Sequence, residues 1–280
     1  MININSFSFQ GVSGAYSELA GKKLFPKALS LPSSTFEDMF EQVRIGKADA
    51  AMVPIENSLA GRVADTQRLI PESNLKITGE YFLEVNHNLI ALKGAKLSDI
   101  KRIHSHEQGI AQCRNKIIKL NKEMIVEADT AGSAKKISEL NNMEDAAIAS
   151  ELAAKIYNLN ILESNFQDLT HNVTRFLVMQ KNLNDIDPDS DEILTTLVFN
   201  VRSIPAALYK CLGGFSSNGV NITKLESYVH PQGFDVAQFY IDFEGHPDNP
   251  SVKLALEEMK FFSKHLKILG VYKKSTFRKK

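Results

Sequence analysis

The sequence carries no excess of charge: 33 lysines and arginines balance 33 aspartates and glutamates over 280 residues. Without a global basic field there is no reason to expect nucleic acid or an anionic membrane as a partner. Cysteine is scarce. Cys113 and Cys211 cannot build a disulfide framework, and neither has a Cys or His at zinc-ligand spacing. A reducing cytoplasm is the expected location. No apolar run approaches the roughly 18 residues of a membrane span, and Met1-Ile2-Asn3-Ile4-Asn5 lacks the basic-then-apolar order of a secretory leader. The turn Gly11-Val12-Ser13-Gly14 has neither the Lys-Ser/Thr of a P-loop nor the three glycines of a dinucleotide fingerprint, so ATP and NAD are without support.

What is present suits roughly two globular domains: 43% of residues are hydrophobic. Residues 4–9 read as a strand, followed by the glycine turn and a helix over 15–25, where exposed backbone N–H groups would make an anion site. A helix within 33–46 has Phe36, Met39, Phe40 and Val43 at core-facing spacing. A strand over 48–55 is expected to stop at Pro54, delivering Glu56, Asn57 and Ser58 to a loop at its mouth, where open α/β sheets bind ligands. Strands over 77–92 and from 100 follow. Ser105 is placed to cap the next helix and Gln112 to project from it. Strand and helix keep alternating to residue 170, predicting parallel sheets.

The densest polar stretch is His171-Asn172-Val173-Thr174-Arg175-Phe176. It runs into an apolar strand, so that Asn172, Thr174 and Arg175 can face one cleft. Arginine offers a planar fork for a carboxylate, and Asn and Thr give or take single hydrogen bonds. Residues 182–193, rich in Asp and Asn, read as a linker. Beyond it the pattern is strand 194–201, helix 205–217 opened by Pro205, strands 220–229 and 234–243 around Pro231-Gln232-Gly233, helix 252–264 and strand 266–272. That βαββαβ order is ferredoxin-like.

With four motifs in this order, the chain resembles prephenate dehydratases. They are Gly11-Val12-Ser13-Gly14-Ala15-Tyr16-Ser17, Val53-Pro54-Ile55-Glu56-Asn57-Ser58, Ser105-His106-Glu107-Gln108-Gly109-Ile110-Ala111-Gln112-Cys113, and Asn172-Val173-Thr174-Arg175-Phe176. The C-terminal segment resembles an ACT domain through Ser203-Ile204-Pro205-Ala206-Ala207-Leu208 and Gly219-Val220-Asn221-Ile222-Thr223-Lys224-Leu225-Glu226-Ser227. The resemblance implies an α/β protein with a two-lobed, periplasmic-binding-protein-like catalytic region over 1–181, its second lobe about 78–170. A ferredoxin-like ACT domain over 194–280 would complete it.

It also implies conversion of prephenate to phenylpyruvate, with loss of water and carbon dioxide, by chemistry that needs no metal, cofactor or covalent intermediate. Thr174 would donate to the departing hydroxyl, and Arg175 would bind or orient a carboxylate. Asn57, Ser105 and Gln112 would hold the substrate through neutral hydrogen bonds. Glu56, Ser58, Ala15, Tyr16, Asn172 and Phe176 would line the site, with Glu56 orienting Asn57 or the arginine and Phe176 packing its wall. His106 and His171 read as hydrogen-bonded loop residues and Cys113 as a small buried one.

As effector the resemblance implies L-phenylalanine at Pro205, Ala206, Ala207, Leu208, Asn221, Glu226 and Ser227, with ACT domains pairing a homodimer or homotetramer. The family's usual Gly-Ala-Leu and Glu-Ser-Arg-Pro are here Ala206-Ala207-Leu208 and Glu226-Ser227-Tyr228-Val229. A purely structural ACT domain is the alternative. Arogenate as substrate and a non-catalytic amino-acid sensor are the alternatives for the whole chain.

Overall fold

The computed structural model describes residues 4–183, 186–190, 192–229 and 237–279. Asn184, Asp185 and Asp191 of the expected linker, and the turn Pro231-Gln232-Gly233, lie outside the described residues.

In chain order the elements begin with β1 (Ser6–Gln10), α1 (Tyr16–Leu24), β2 (Leu29–Ser33), α2 (Phe36–Arg44), β3 (Ala50–Asn57), β4 (Gly61–Arg62), α3 (Ala64–Leu69) and β5 (Lys76–Glu84). They continue with β6 (Asn88–Ala91), β7 (Arg102–His106), α4 (Glu107–Gln112), α5 (Arg114–Lys119), β8 (Glu123–Glu127), α6 (Thr130–Leu140), β9 (Asp145–Ala149), α7 (Glu151–Ile156), β10 (Asn160–Glu163) and β11 (Val173–Gln180). The last are β12 (Ile193–Val201), α8 (Ala207–Ser217), β13 (Ile222–Val229), β14 (Ala237–Glu244), α9 (Pro250–Phe262) and β15 (Ser263–Lys273).

Two compact units result. One contains Ile4–Gln67 and Tyr81–Leu177; the other contains Arg68–Glu80 and the chain from Val178 onward. The first unit holds two sheets. In one, β11, β3, β1 and β2 are neighbours in that order, and β1 runs parallel to both β2 and β3. The other has the order β10-β6-β9-β7-β8 and is mixed: β7 is parallel to β8 and β9, while β6 is antiparallel to β9 and β10. The all-parallel expectation therefore fails for this sheet. β6, entered from β5 of the other sheet through Val85, Asn86 and His87, runs against both of its neighbours, β9 and β10.

Local chemistry explains the elements. Thr35 caps α2 by accepting from Asp38 N (3.1 Å), and Met39, Phe40 and Val43 lie buried on one face. Asp129 caps α6 through Gly132 N (2.6 Å), and Asn141 closes that helix in the left-handed conformation (φ 52°). The short apolar strands fill two cores of their sheet. Leu89, Ile103, Ile117, Ile148 and Phe166 build one, Ile90, Ala134, Ile137, Ala147 and Ala153 the other.

Four expectations are corrected. β3 continues through Pro54 to Asn57, because β1 pairs with it only at Ala50 and Ala51 and leaves the later residues free of that ladder. β2 was not anticipated: its Pro32 and exposed Leu29 mark an edge strand. The glycine turn is no open anion site, since Gly14 N donates to the chain's own Glu18 carboxylate at 2.7 Å. At Gly14 (φ 95°) a Cβ would lie 2.8 Å from that of Ala153, so glycine serves close packing there. Finally, Pro205 does not open α8; the helix starts at Ala207, after Ala206 at φ 58°.

In the second unit the sheet order β13-β14-β12-β15, antiparallel throughout, with α8 and α9, is the expected ferredoxin-like fold. Leu197, Phe199, Phe239, Ile241 and Phe243 turn to the helices and meet Cys211, Phe215, Val252, Ala255 and Met259. β15 also bridges in parallel to β5 at Gly270 and Ile77; a Cβ at Gly270 would collide with the Ile77 backbone.

Candidate functional site

The site lies within the first unit, where the end of β3 meets the start of β11. β4 folds back on β3, pairing Glu56 with Arg62 and Asn57 with Gly61. In this hairpin Asn57 Oδ1 accepts from two backbone amides, Leu59 N (2.9 Å) and Ala60 N (2.8 Å). Two N–H donors fix that atom as the oxygen, so the Nδ2 end must face β11. There it donates to Asn172 Oδ1 (2.7 Å) and Thr174 Oγ1 (2.9 Å), with Val173 O at 3.3 Å.

One anchored amide sets the rest. Asn172 Oδ1 accepts, so Asn172 Nδ2 is the atom donating to Gln112 Oε1 at 2.8 Å. The same Gln112 oxygen lies 2.7 Å from His87 Nε2, which must therefore carry the proton. Burial lowers the pKa of His87, the Gln112 bond opposing in part, so the ring is neutral and its Nδ1 an acceptor. Tyr16 OH lies 2.7 Å from Nδ1 and 3.1 Å from Asn86 O; the shorter contact, to a nitrogen without a proton, takes its one hydrogen. Burial, and then Cys113, raise the Tyr16 pKa well above its usual value, keeping that proton in place. The chain Tyr16–His87–Gln112–Asn172–Asn57–Thr174 thus has a single direction at every link. Its consequence falls on two free ends. Thr174 Oγ1 receives a hydrogen bond and keeps its own proton to give, and Gln112 keeps its Nε2 donors. Beside Gln112 opens a cavity of about 650 Å³, lined also by Leu59, Ala60, Gln108, Ala111, Asn115, Asp168 and Leu169.

The other expected residues take different places. Arg175 is 1% exposed and pairs with Glu56 at 3.0 Å. Ser58 sews the hairpin to β11: its Oγ donates to His171 O and accepts from Val173 N, both at 2.9 Å. Phe176 is buried, and Ala15 is the N-cap residue of α1 without a side-chain role. Ser105 is corrected as a helix cap. It belongs to β7, the cap of α4 being His106, and its fully buried hydroxyl donates to Ile148 O at 2.9 Å. His106 caps α4 through Gln108 N at 3.3 Å, and His171 is exposed. Cys113 is fully buried, with burial pushing its pKa up to about 12. His87 was missed. The sequence placed it only within the strand-like stretch 77–92; it is the last of three residues between β5 and β6, and only the tertiary contact with Gln112 reveals its role.

The family model for prephenate dehydratase matches residues 7–184. The bifunctional N-acyl-homoserine lactone acylase/prephenate dehydratase of Komagataeibacter europaeus is 45% identical over 273 residues, covering 98% of this chain and 97% of its own. The chloroplastic arogenate dehydratase/prephenate dehydratase 2 of Arabidopsis thaliana is 39% identical, covering 95% of this chain and 72% of its own. Among solved structures, prephenate dehydratase from Arthrobacter aurescens in complex with L-Phe superposes with a TM-score of 0.86 at 32% identity, over 96% of this chain and 90% of that one. Matching motifs, a matched domain and relatives alike over nearly the whole length agree: the chain belongs to the prephenate dehydratase family.

Proposed function

We propose that the protein converts prephenate to phenylpyruvate, water and carbon dioxide. The observation that carries this reading is the one-way hydrogen-bond chain ending at Thr174. In the reaction the ring carboxylate leaves as carbon dioxide, its C–C bonding pair moves into the ring, and the ring hydroxyl departs with its C–O pair. Hydroxide is a poor leaving group, and one proton taken up from solvent must meet it for water to leave. Thr174 O–H, freed by the Asn57 donation to its oxygen, is the group that gives it a hydrogen bond as charge develops. Gln112 offers neutral N–H donors to a carboxylate. Neutral donors suit a carboxylate that must leave, because a tight cation would stabilise the ground state. Arg175, buried against Glu56, acts by positioning β11 against β3 rather than by gripping substrate.

An acylase reading, raised by the relative from Komagataeibacter europaeus, finds less support at this site. Thr174 has an amide beside it where a nucleophile needs a base, and Cys113 is held as a neutral thiol. Arogenate differs from prephenate only in the side chain, and nothing in the chain from Tyr16 to Thr174 distinguishes them.

For regulation, the proposal is an ACT domain that binds L-phenylalanine between paired copies, supported by the L-Phe-bound relative. β13 ends the sheet, and Ile204, Tyr209 and Leu225 are exposed near the expected effector residues. Asn221 bonds Glu244 (3.2 Å) and Glu226 pairs with Lys224 (2.8 Å); Pro205, Ala206 and Ser227 are exposed, Ala207 is buried and Leu208 packs at the margin of the helix core. The test is phenylpyruvate formation from prephenate by the purified protein, with and without L-phenylalanine, and the same assay with arogenate. Inertness toward both substrates would overturn the dehydratase reading.

A further inference from the structure

On the face of the C-terminal sheet opposite α8 and α9, strand register lays four polar side chains in one row. Tyr228 pairs with Gln238, Gln238 with Asn200, and Asn200 with His265, across β13, β14, β12 and β15. Residues 197, 199, 239, 241 and 243 turn to the helices, so period-two alternation sends this row the other way. The row forms part of the wall of a cavity of about 470 Å³, closed also by Val198, Leu266 and Lys267 and by Arg68, Pro71 and Glu72 of the same unit.

The cavity is not a void left by apolar packing. Tyr228 is part of its wall, and the tyrosine's buried hydroxyl makes no hydrogen bond among the described residues. Native proteins leave few buried polar atoms unsatisfied, and each costs stability unless something fills the site. Asn200, only 6% exposed, stands in the same wall. Burial and the nearby Glu72 carboxylate both raise the Tyr228 pKa, so the hydroxyl stays protonated as a donor. Tyr228, from the motif Glu226-Ser227-Tyr228-Val229, is shared with the effector region, but none of the seven residues expected at the L-phenylalanine site lines the cavity.

We infer that this cavity is a second small-molecule site, for a zwitterionic α-amino acid with a polar side chain. Both signs of charge stand over the row. Lys267 offers a cation for a carboxylate, and Glu72 an anion for an ammonium. Lys267 Nζ already donates to Pro71 O, which holds its head at the rim with two protons to spare. Tyr228, Gln238, Asn200 and His265 then supply donors and acceptors for a polar tail. A phenyl ring in their place would strip four polar groups of water and return nothing, so this site rejects L-phenylalanine.

The experiment is titration calorimetry on the full chain with L-asparagine, L-glutamine and L-serine, with L-phenylalanine alongside, repeated on Glu72→Gln and Tyr228→Phe. Glu72 is exposed and Tyr228→Phe removes one oxygen, so both variants fold. The expected result is saturable binding of at least one of the three polar amino acids, weakened tenfold or more in each variant, with the L-phenylalanine response unchanged in Glu72→Gln. Absence of heat from all three, or binding that neither variant weakens, would overturn the inference. None of these readouts depends on dehydratase activity.

Discussion

Replacing Asn57 by aspartate tests the one-way chain with the least steric change. The Oδ1 end keeps its bonds from Leu59 N and Ala60 N, strengthened by charge. The other end changes from a double donor to an acceptor. It then faces Asn172 Oδ1 at 2.7 Å and Thr174 Oγ1 at 2.9 Å. Thr174 turns its proton toward the new carboxylate and withdraws it from substrate. Two lost neutral hydrogen bonds are worth about 1–3 kcal/mol. A new negative charge at ~7 Å from a substrate carboxylate adds about 2 kcal/mol at an effective dielectric of ~20. Together these make about 3–5 kcal/mol, or roughly 10²–10⁴-fold in kcat/KM. Initial rates of phenylpyruvate formation measure it, with a thermal melt to show an intact fold. Asn57→Asp retaining a rate within tenfold of wild type would refute the assignment of donor direction.

Thr174→Ala is expected to cut turnover by about 10²-fold or more with the fold retained, and near-normal turnover would remove Thr174 from the mechanism. His87 is held neutral by burial, its folded pKa below the usual 6.5. Its contribution to stability is therefore complete above about pH 6.5 and is lost as pH falls through that value toward the lowered one. Melting temperatures should drop more between pH 7 and 5 in the wild type than in His87→Gln, and parallel curves would contradict this. Ala206 sits at φ 58°, a conformation that costs an L-residue about 1–2 kcal/mol. Ala206→Gly should raise the urea midpoint by a corresponding amount, and a lowered midpoint would show that the strain lies elsewhere.

The residues show where the sequence could speak and where it could not. Strand and helix periods are local, and so the start of β3, α2 and the ferredoxin-like order were legible from Phe36, Met39, Phe40 and Val43 and from the alternating apolar positions. Asn57, Asn172, Thr174 and Gln112 were legible as a group because four motifs keep their order. Ser105 misled, since a serine before a helix reads as a cap whether or not the strand has yet ended. Its burial beneath α4 is a tertiary fact. His87 carried no local signal. Ala206 was noticed as a departure from glycine, but the reason for the usual glycine, a positive φ, is visible only in the backbone. The polar row Tyr228–Gln238–Asn200–His265 depends on the register of four strands, and no single stretch of chain encodes it.

The hairpin that orients Asn57 also bears on how the protein ages. Asparagine followed by serine deamidates when the next backbone nitrogen attacks the side-chain carbonyl carbon and expels ammonia; water then opens the cyclic imide to isoaspartate or to the aspartate whose cost was estimated above. At this site that nitrogen belongs to Ser58, whose N–H is committed to Val173 O at 2.9 Å, while the carbonyl oxygen is held by Leu59 and Ala60. Attack would require breaking the junction between the hairpin and β11 first. The arrangement that aims a proton donor therefore also sets the shelf life of the site: its chemical clock runs only when that junction opens.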